Sequence, residues 1–121
     1  MPTRFALPTF WALGMLTPGT NLVDLLASTS TPSGGNSELN LRDAVTVHSV
    51  HFIVKSDNTG IITVTYAGRT IAEIGVPPAT GDLPQFDMVS NQAGTNGIDL
   101  KKIQIKGAGA GDDVYVHCYT M

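Results

Sequence analysis

Two stretches of this sequence share one order: a run of β-branched and aromatic residues, a short group of turn-forming residues, and a second run that alternates as a strand does. The first comprises residues 44–54, 56–60 and 61–66, and the second comprises residues 98–105, 107–111 and 114–119. Strand-like runs separated by Gly, Asn, Asp and Ser are typical of β-hairpins. The sequence therefore predicts two hairpins and an all-β fold.

The remaining turn-bounded runs raise the number of predicted strands to about eight, which is what a jelly roll or a similar sandwich needs. Ala67 and Gly68 predict a turn into a strand over residues 69–76. In the strand before the first turn, Val45 and Val47 fall on one face by alternation, whereas Val50 falls on the opposite face. This change predicts either a β-bulge or a crossing between sheets near position 48.

The length of 121 residues suits one two-layer core. We expect one all-β domain, a jelly-roll-like antiparallel β-sandwich, over residues 17–121. Residues 1–16 are treated separately as an apolar arm or an edge strand, because they contain the only Trp and two of the four Phe. Only Arg4 precedes the apolar run and Pro8 interrupts it, so we expect mature protein rather than a secretory leader. The run is also too short to span a membrane.

The chain carries few charges. Charged residues make up 14% of it, against about 25% in an average soluble domain, and the formal net charge is -3. Two explanations stay open: a surface covered with small polar residues, or a subunit packed within an assembly. The only basic cluster is Lys101, Lys102 and Lys106. Nucleic acid and membrane are therefore not expected partners.

No group of residues predicts catalysis, a cofactor or a metal site. On a strand, His48 and His51 point to opposite faces unless a bulge re-aims one of them. The pair Asp112 and Asp113 follows a glycine and is explained by turn chemistry. Cys118 alternates with valines, which favours a buried thiol over a nucleophile. We expect the protein not to be an enzyme.

Several motifs resemble those of small bacteriophage virion proteins, a group of compact β-sandwiches similar to capsid decoration or cement proteins. They are a strand ending in Ser-Asp-Asn-Thr-Gly at residues 56–60, the segment Gly-Ile-Asp-Leu-Lys-Lys-Ile at 97–103 leading through glycines to Asp-Asp-Val-Tyr-Val at 112–116, and a Thr-Pro-Gly-Thr turn at 17–20. The aromatic N-terminal run and the prolines of residues 77–84 depart from that pattern.

The resemblance implies a structural protein of the virion that decorates or cements the capsid shell. Its expected partners are the major capsid protein and copies of itself, with a homotrimer favoured because trimers suit local threefold positions of a shell. The N-terminal aromatic and apolar side chains and the proline-rich loop are the expected contacts, since such groups bury much area at interfaces. These contact residues are Phe5, Leu7, Phe10, Trp11, Pro77, Pro78, Leu83 and Pro84.

The alternative is a carbohydrate- or receptor-binding β-sandwich module of a phage particle. It would need exposed aromatic platforms, which Tyr66, Tyr115 and Tyr119 could supply. Tyr115 and Tyr119 share a strand face with His117, so they could equally cover an edge of the core. A hydrolase is the weakest alternative, because the sequence offers no matched nucleophile and base.

Overall fold

The computed structural model describes residues 9–28, 46–90 and 97–120, and this part of the chain is mostly β structure. The elements in chain order are β1 (Thr9–Leu16), β2 (Val23–Asp24), α1 (Leu25–Ser28), β3 (Thr46–Val47), β4 (Ser49–Val54), β5 (Ile62–Tyr66), β6 (Arg69–Ile74), β7 (Gln85–Val89), β8 (Ile98–Asp99), a 3-10 helix (Leu100–Lys102), β9 (Ile103–Gly107) and β10 (Val114–Thr120). No helix in these ranges is long and apolar enough to cross a membrane.

Eight of these strands form two four-stranded sheets. Sheet A has the order β1-β10-β4-β7, sheet B has the order β2-β9-β5-β6, and β3 pairs with β8 separately. Every pair of neighbours is antiparallel. The prediction of a fold built from antiparallel strands is thus confirmed.

Alternation of side chains explains why each sheet buries one face. In β4, Val50, Phe52 and Val54 are fully buried, whereas His51 and Ile53 on the opposite face are partly exposed. Buried residues of both sheets belong to one hydrophobic cluster. Branched and aromatic side chains at every second position therefore give both sheets the apolar face that joins this core.

Four connections pass between the sheets at the same end of the molecule. Val54 at the end of β4 pairs with Val114 at the start of β10, and Ile62 at the start of β5 pairs with Gly107 at the end of β9. The connecting residues are 17–22, 55–61, 75–84 and 108–113.

Both predicted hairpins are therefore wrong. The strands before and after residues 56–60 lie in different sheets, and so do the strands before and after residues 107–111. The turn residues correctly mark where the chain reverses. They do not determine whether the next strand pairs with the previous one or crosses to the other sheet, because both arrangements bury an alternating apolar face.

The predicted turn at Ala67 and Gly68 does join a hairpin, between β5 and β6. Both residues have positive φ, 50° and 83°, as a two-residue type I′ turn requires. The change of phase near position 48 also has a structural counterpart. The chain leaves the β3–β8 pair at His48 and enters sheet A at Ser49, which is the predicted crossing between sheets.

The described part of the N-terminal run is an edge strand of sheet A. Thr9–Leu16 pairs with β10, and the register shifts between Ala12 and Gly14, so Leu13 is the extra residue of a bulge. Leu13 and Leu16 are 1% and 0% exposed. This strand is therefore part of the core, while residues 1–8 lie outside the described residues.

Candidate functional site

The proline-rich loop lies in the connection between β6 and β7. Pro78 is exposed, Leu83 is 37% exposed, and Pro77 and Pro84 are half-buried. The carbonyl oxygen of Pro84 accepts a hydrogen bond from the backbone N–H of Val54 at 3.2 Å. The end of the loop is thus held against sheet A while its middle faces solvent.

Large apolar side chains are exposed on and beside the edge strands β6 and β7. β6 and β7 are the edge strands of their sheets and contact each other. Ile71, Val76 and Val89 are 41%, 48% and 58% exposed on or next to these strands. We call these three residues and Leu83 the apolar edge. Exposed apolar side chains on two contacting edge strands are typical of an interaction surface.

Sequence reasoning found only Leu83 of this group. The register of the β5–β6 pair shifts where Val64 pairs with Ala72 and Thr65 pairs with Thr70, so Ile71 is a bulged residue. Alternation with the half-buried Ala72 and the buried Ile74 is enough to predict that Ile71 faces outward. Val76 alternates with Ala72 and Ile74, so its exposure past the end of β6 is what the pattern did not predict.

The predicted N-terminal contacts that the structure describes lie at the opposite edge of sheet A. Phe10 and Trp11 lie in β1, where their backbones pair with Tyr119 and Cys118 of β10. β10 and β4 separate β1 from β7. Phe5 and Leu7 lie outside the described residues. The structure therefore does not bring the described N-terminal positions and the proline-rich loop together, but puts them at opposite edges of one sheet.

A polar and aromatic cluster covers part of the outer face of sheet A. His51 on β4 stacks on His117 of β10, with ring centroids 4.8 Å apart, and the Tyr119 ring meets both edge-on. His51 Nδ1 donates to Asp87 Oδ1 at 2.7 Å, and Ser49 Oγ lies 3.0 Å from His51 Nε2. Burial, and then the nearby charge of His51, lower the pKa of His117, while Asp87 opposes this shift.

The order Asp87, His51, Ser49 is that of a catalytic relay, and no sequence pattern predicted it. Ser49 is 4% exposed, so its hydroxyl is not accessible to a substrate carbonyl. The hydrogen bonds therefore hold the imidazole in place rather than activate a nucleophile. Within the described ranges, no three or more His, Cys, Asp or Glu side chains are grouped so that they could hold a metal ion.

A second polar cluster joins two of the connections between the sheets. Asn58, Asp112 and Asp113 are 5%, 3% and 6% exposed. The Asn58 side chain donates to the Asp113 carbonyl at 2.6 Å and accepts from the Asp113 N–H at 2.8 Å. Asp112 Oδ1 accepts from the Thr59 N–H at 2.9 Å.

This cluster is structural, in agreement with the turn chemistry predicted for the two aspartates. Asp112 Oδ2 also accepts from the Gly109 N–H at 3.2 Å, so this backbone donor of the glycine-rich segment is engaged. Asp113 accepts from the Thr17 hydroxyl at 2.5 Å and lies 3.6 Å from Lys55 Nζ. Buried carboxylates held in this way join the connections at one end of the molecule.

Comparison with protein-family models, with curated proteins and with solved structures finds no match to this chain. Any functional conclusion therefore depends on the surfaces themselves.

Besides the structural cluster, two of the described surfaces offer exposed groups suited to binding another molecule. The apolar edge offers area for burial against another protein. The outer face of sheet A offers hydrogen-bonding groups beside aromatic rings. Tyr66 does not contribute to that face, because it lies in β5 and its hydroxyl oxygen accepts from the Asp99 N–H at 3.1 Å.

Proposed function

We propose that the chain is a structural protein of a bacteriophage virion, which decorates or cements the capsid shell through protein–protein contacts. The observation that carries this proposal is the apolar edge of Ile71, Val76, Leu83 and Val89, exposed on a chain with only 14% charged residues. A surface of this kind is more stable when it is covered by another protein.

We also propose that the two sheets face each other as a jelly-roll sandwich. The strand orders support this. Each of the four connections joins strands at the same position in the two sheets: β1 to β2, β9 to β10, β4 to β5, and β6 to β7. The shared hydrophobic cluster supports it as well. Jelly rolls occur in viral capsid and lectin domains, so the fold is compatible with a virion protein by analogy alone.

A ring of three copies fits the distribution of the contact regions. A head-to-tail contact uses two different surfaces of each subunit, and it closes into a ring when the rotation allows it. The β1 side and the apolar edge lie at opposite edges of sheet A. In the proposed trimer, the apolar edge of one copy, including Leu83, meets the β1 side of the next, and residues 1–8 and the prolines of the loop contact the major capsid protein.

The self-association part of the proposal is tested by light scattering on the purified chain. We expect a trimer, and we expect the double variant Val76→Asp/Leu83→Asp to be monomeric, because it introduces unpaired charges into the proposed contact. Ile61→Asp is the matched control, since Ile61 is 42% exposed in the connection between β4 and β5. A monomeric wild-type chain, or equal dissociation by the control, would contradict the proposed ring.

The N-terminal contribution is tested by deleting residues 1–8 rather than residues 1–16. The longer deletion removes Leu13 and Leu16 from the core and would unfold sheet A.

The virion role itself is tested by immunogold electron microscopy of particles of the encoding phage, with antibodies against the purified chain. Labelling across the shell is expected; particles without the chain would refute the role.

A further inference from the structure

The outer face of sheet A carries a stripe of rings along β10. Tyr115, His117 and Tyr119 alternate along the strand and therefore share one face. Tyr115 is 44% exposed, while His117 and Tyr119 are half-buried against His51. The Tyr115 ring is thus the part of the stripe most accessible to a ligand.

A chain of hydrogen bonds crosses the same face next to this stripe. The Gln85 side-chain amide donates to Asp87 Oδ2 at 3.3 Å, and Asp87 Oδ1 accepts from His51 at 2.7 Å. His51 in turn contacts Ser49 at 3.0 Å. Planar polar groups fixed by one another lose little conformational freedom when they bind a ligand.

The Asp87 carboxylate has capacity left for a ligand. A carboxylate offers about four acceptor positions, and the bonds from Gln85 and His51 occupy two of them. The Asp87 side chain is 41% exposed, so its remaining positions are open to solvent. Such a group accepts hydrogen bonds from ligand hydroxyls.

The charges on this face favour a neutral ligand. The titratable groups on β4, β7 and β10 that face it are His51, Asp87, Tyr115, His117 and Tyr119. Lys55 follows β4 at the end of the face, and its ammonium group is already engaged by Asp57 and Asp113, each at 3.6 Å. Among the described residues of this face, no free cation would offset the repulsion between an anionic ligand and the Asp87 carboxylate.

We propose that the outer face of sheet A binds a neutral saccharide. A sugar ring stacks on Tyr115, its hydroxyls donate to Asp87, and the Gln85 amide exchanges hydrogen bonds with it. Tyr115, Ile53 and Gln85 occupy one register row across β10, β4 and β7. Two strand spacings make this row about 10 Å wide. The combination of an apolar ring with rigid hydroxyl acceptors suits a saccharide, which has apolar ring faces and a hydroxylated rim.

This proposal is independent of the proposed virion role. Three of the four apolar-edge residues lie outside β4, β7 and β10, and the fourth, Val89, lies in a different register row from Tyr115 and Gln85. A virion protein that binds no saccharide would fail only the saccharide-binding test. A saccharide-binding protein outside a virion would fail only the test of the virion role.

The first experiment is a glycan array of neutral and acidic oligosaccharides probed with the full, fluorescently labelled chain. We expect binding to neutral members, followed by a calorimetric titration with the best-bound oligosaccharide. Tyr115→Ala should weaken this binding about tenfold or more, as loss of an aromatic anchor does. Tyr115→Phe keeps the ring and should bind nearly as well as the wild type.

The matched control is Lys106→Ala, which changes an exposed residue of β9 in sheet B. Thermal unfolding of each variant checks that the fold is intact, and Gln85→Ala gives a second, smaller change on the same face. Absence of binding across the array would overturn the proposal. Preference for acidic saccharides, or binding that Lys106→Ala weakens as much as Tyr115→Ala does, would also overturn it.

Discussion

Replacing Asn58 with Ala should strongly destabilise the protein, because this one side chain joins two of the connections between the sheets. Asn58 is 5% exposed and makes hydrogen bonds of 2.6 Å and 2.8 Å to the carbonyl and the N–H of Asp113. Asp113 follows the glycine-rich segment, whereas Asn58 lies between β4 and β5.

The expected magnitude follows from what each backbone group of Asp113 retains in the variant. The carbonyl keeps the hydrogen bond from the Lys55 N–H at 3.1 Å, so its loss is that of one ordinary hydrogen bond, about 1 kcal/mol. The N–H loses Asn58 Oδ1 as its acceptor in a buried position, which costs about 1–3 kcal/mol. The free energy of unfolding should therefore fall by about 2–4 kcal/mol.

Equilibrium urea denaturation followed by circular dichroism measures this change. The midpoint should fall while the slope stays constant, since the surface exposed on unfolding hardly changes. Asn58→Asp keeps the acceptor for the Asp113 N–H but loses the donor, so it should also be destabilised. Asn21→Ala is the control at an exposed asparagine. A loss below about 0.5 kcal/mol for Asn58→Ala would refute the reasoning.

Three further predictions follow from single residues. Gly107→Ala should destabilise the fold by about 1–3 kcal/mol in urea denaturation, because its Cβ would lie 2.8 Å from the backbone oxygen of Gly19, whereas Gly111→Ala meets nothing within 4 Å and should be nearly neutral. Burial raises the pKa of the Cys118 thiol to about 11, so a thiol reagent at about pH 8 should modify it only after denaturation; rapid reaction of the native protein would contradict this. Burial lowers the pKa of His117, so the unfolded chain takes up a proton more readily as the pH falls below about 6.5, and stability decreases there. The midpoint of thermal unfolding should thus fall less in His117→Gln than in the wild type between about pH 7.5 and about pH 5.5.

The local features of the fold could be predicted because they depend on residues close in sequence. Alternation identified β4, β5 and β10, and Ala67 with Gly68 identified the β5–β6 turn. Cys118 is buried as its alternation with valines predicted. The partners of β4 and β9 could not be predicted, because pairing depends on contacts between distant parts of the chain, and an alternating strand buries its apolar face equally well in either sheet.

Alternation put Tyr115, His117 and Tyr119 on one strand face, but their neighbours on the outer face of sheet A were missed for the same reason. His51, Asp87 and His117 come from three strands that are far apart in sequence, and only the order β10-β4-β7 puts them in one row. The pattern of each strand predicted which of its residues face outward. It contained no signal for which outward-facing residues become neighbours, so the stacked histidines could be found only in the structure.

The separation of the structural cluster from the exposed surfaces makes stability and association independently measurable. Asn58 and the two aspartates join two of the connections between the sheets, whereas the apolar edge lies on β6 and β7 and in the connection between them. Asn58→Ala should therefore lower the unfolding midpoint without changing the solution mass below the transition. Val76→Asp/Leu83→Asp should change the solution mass while the intrinsic stability of each subunit hardly alters, because both side chains are already exposed. If both variants changed both quantities together, the apolar edge would have to be regarded as part of the folding core rather than as a contact surface.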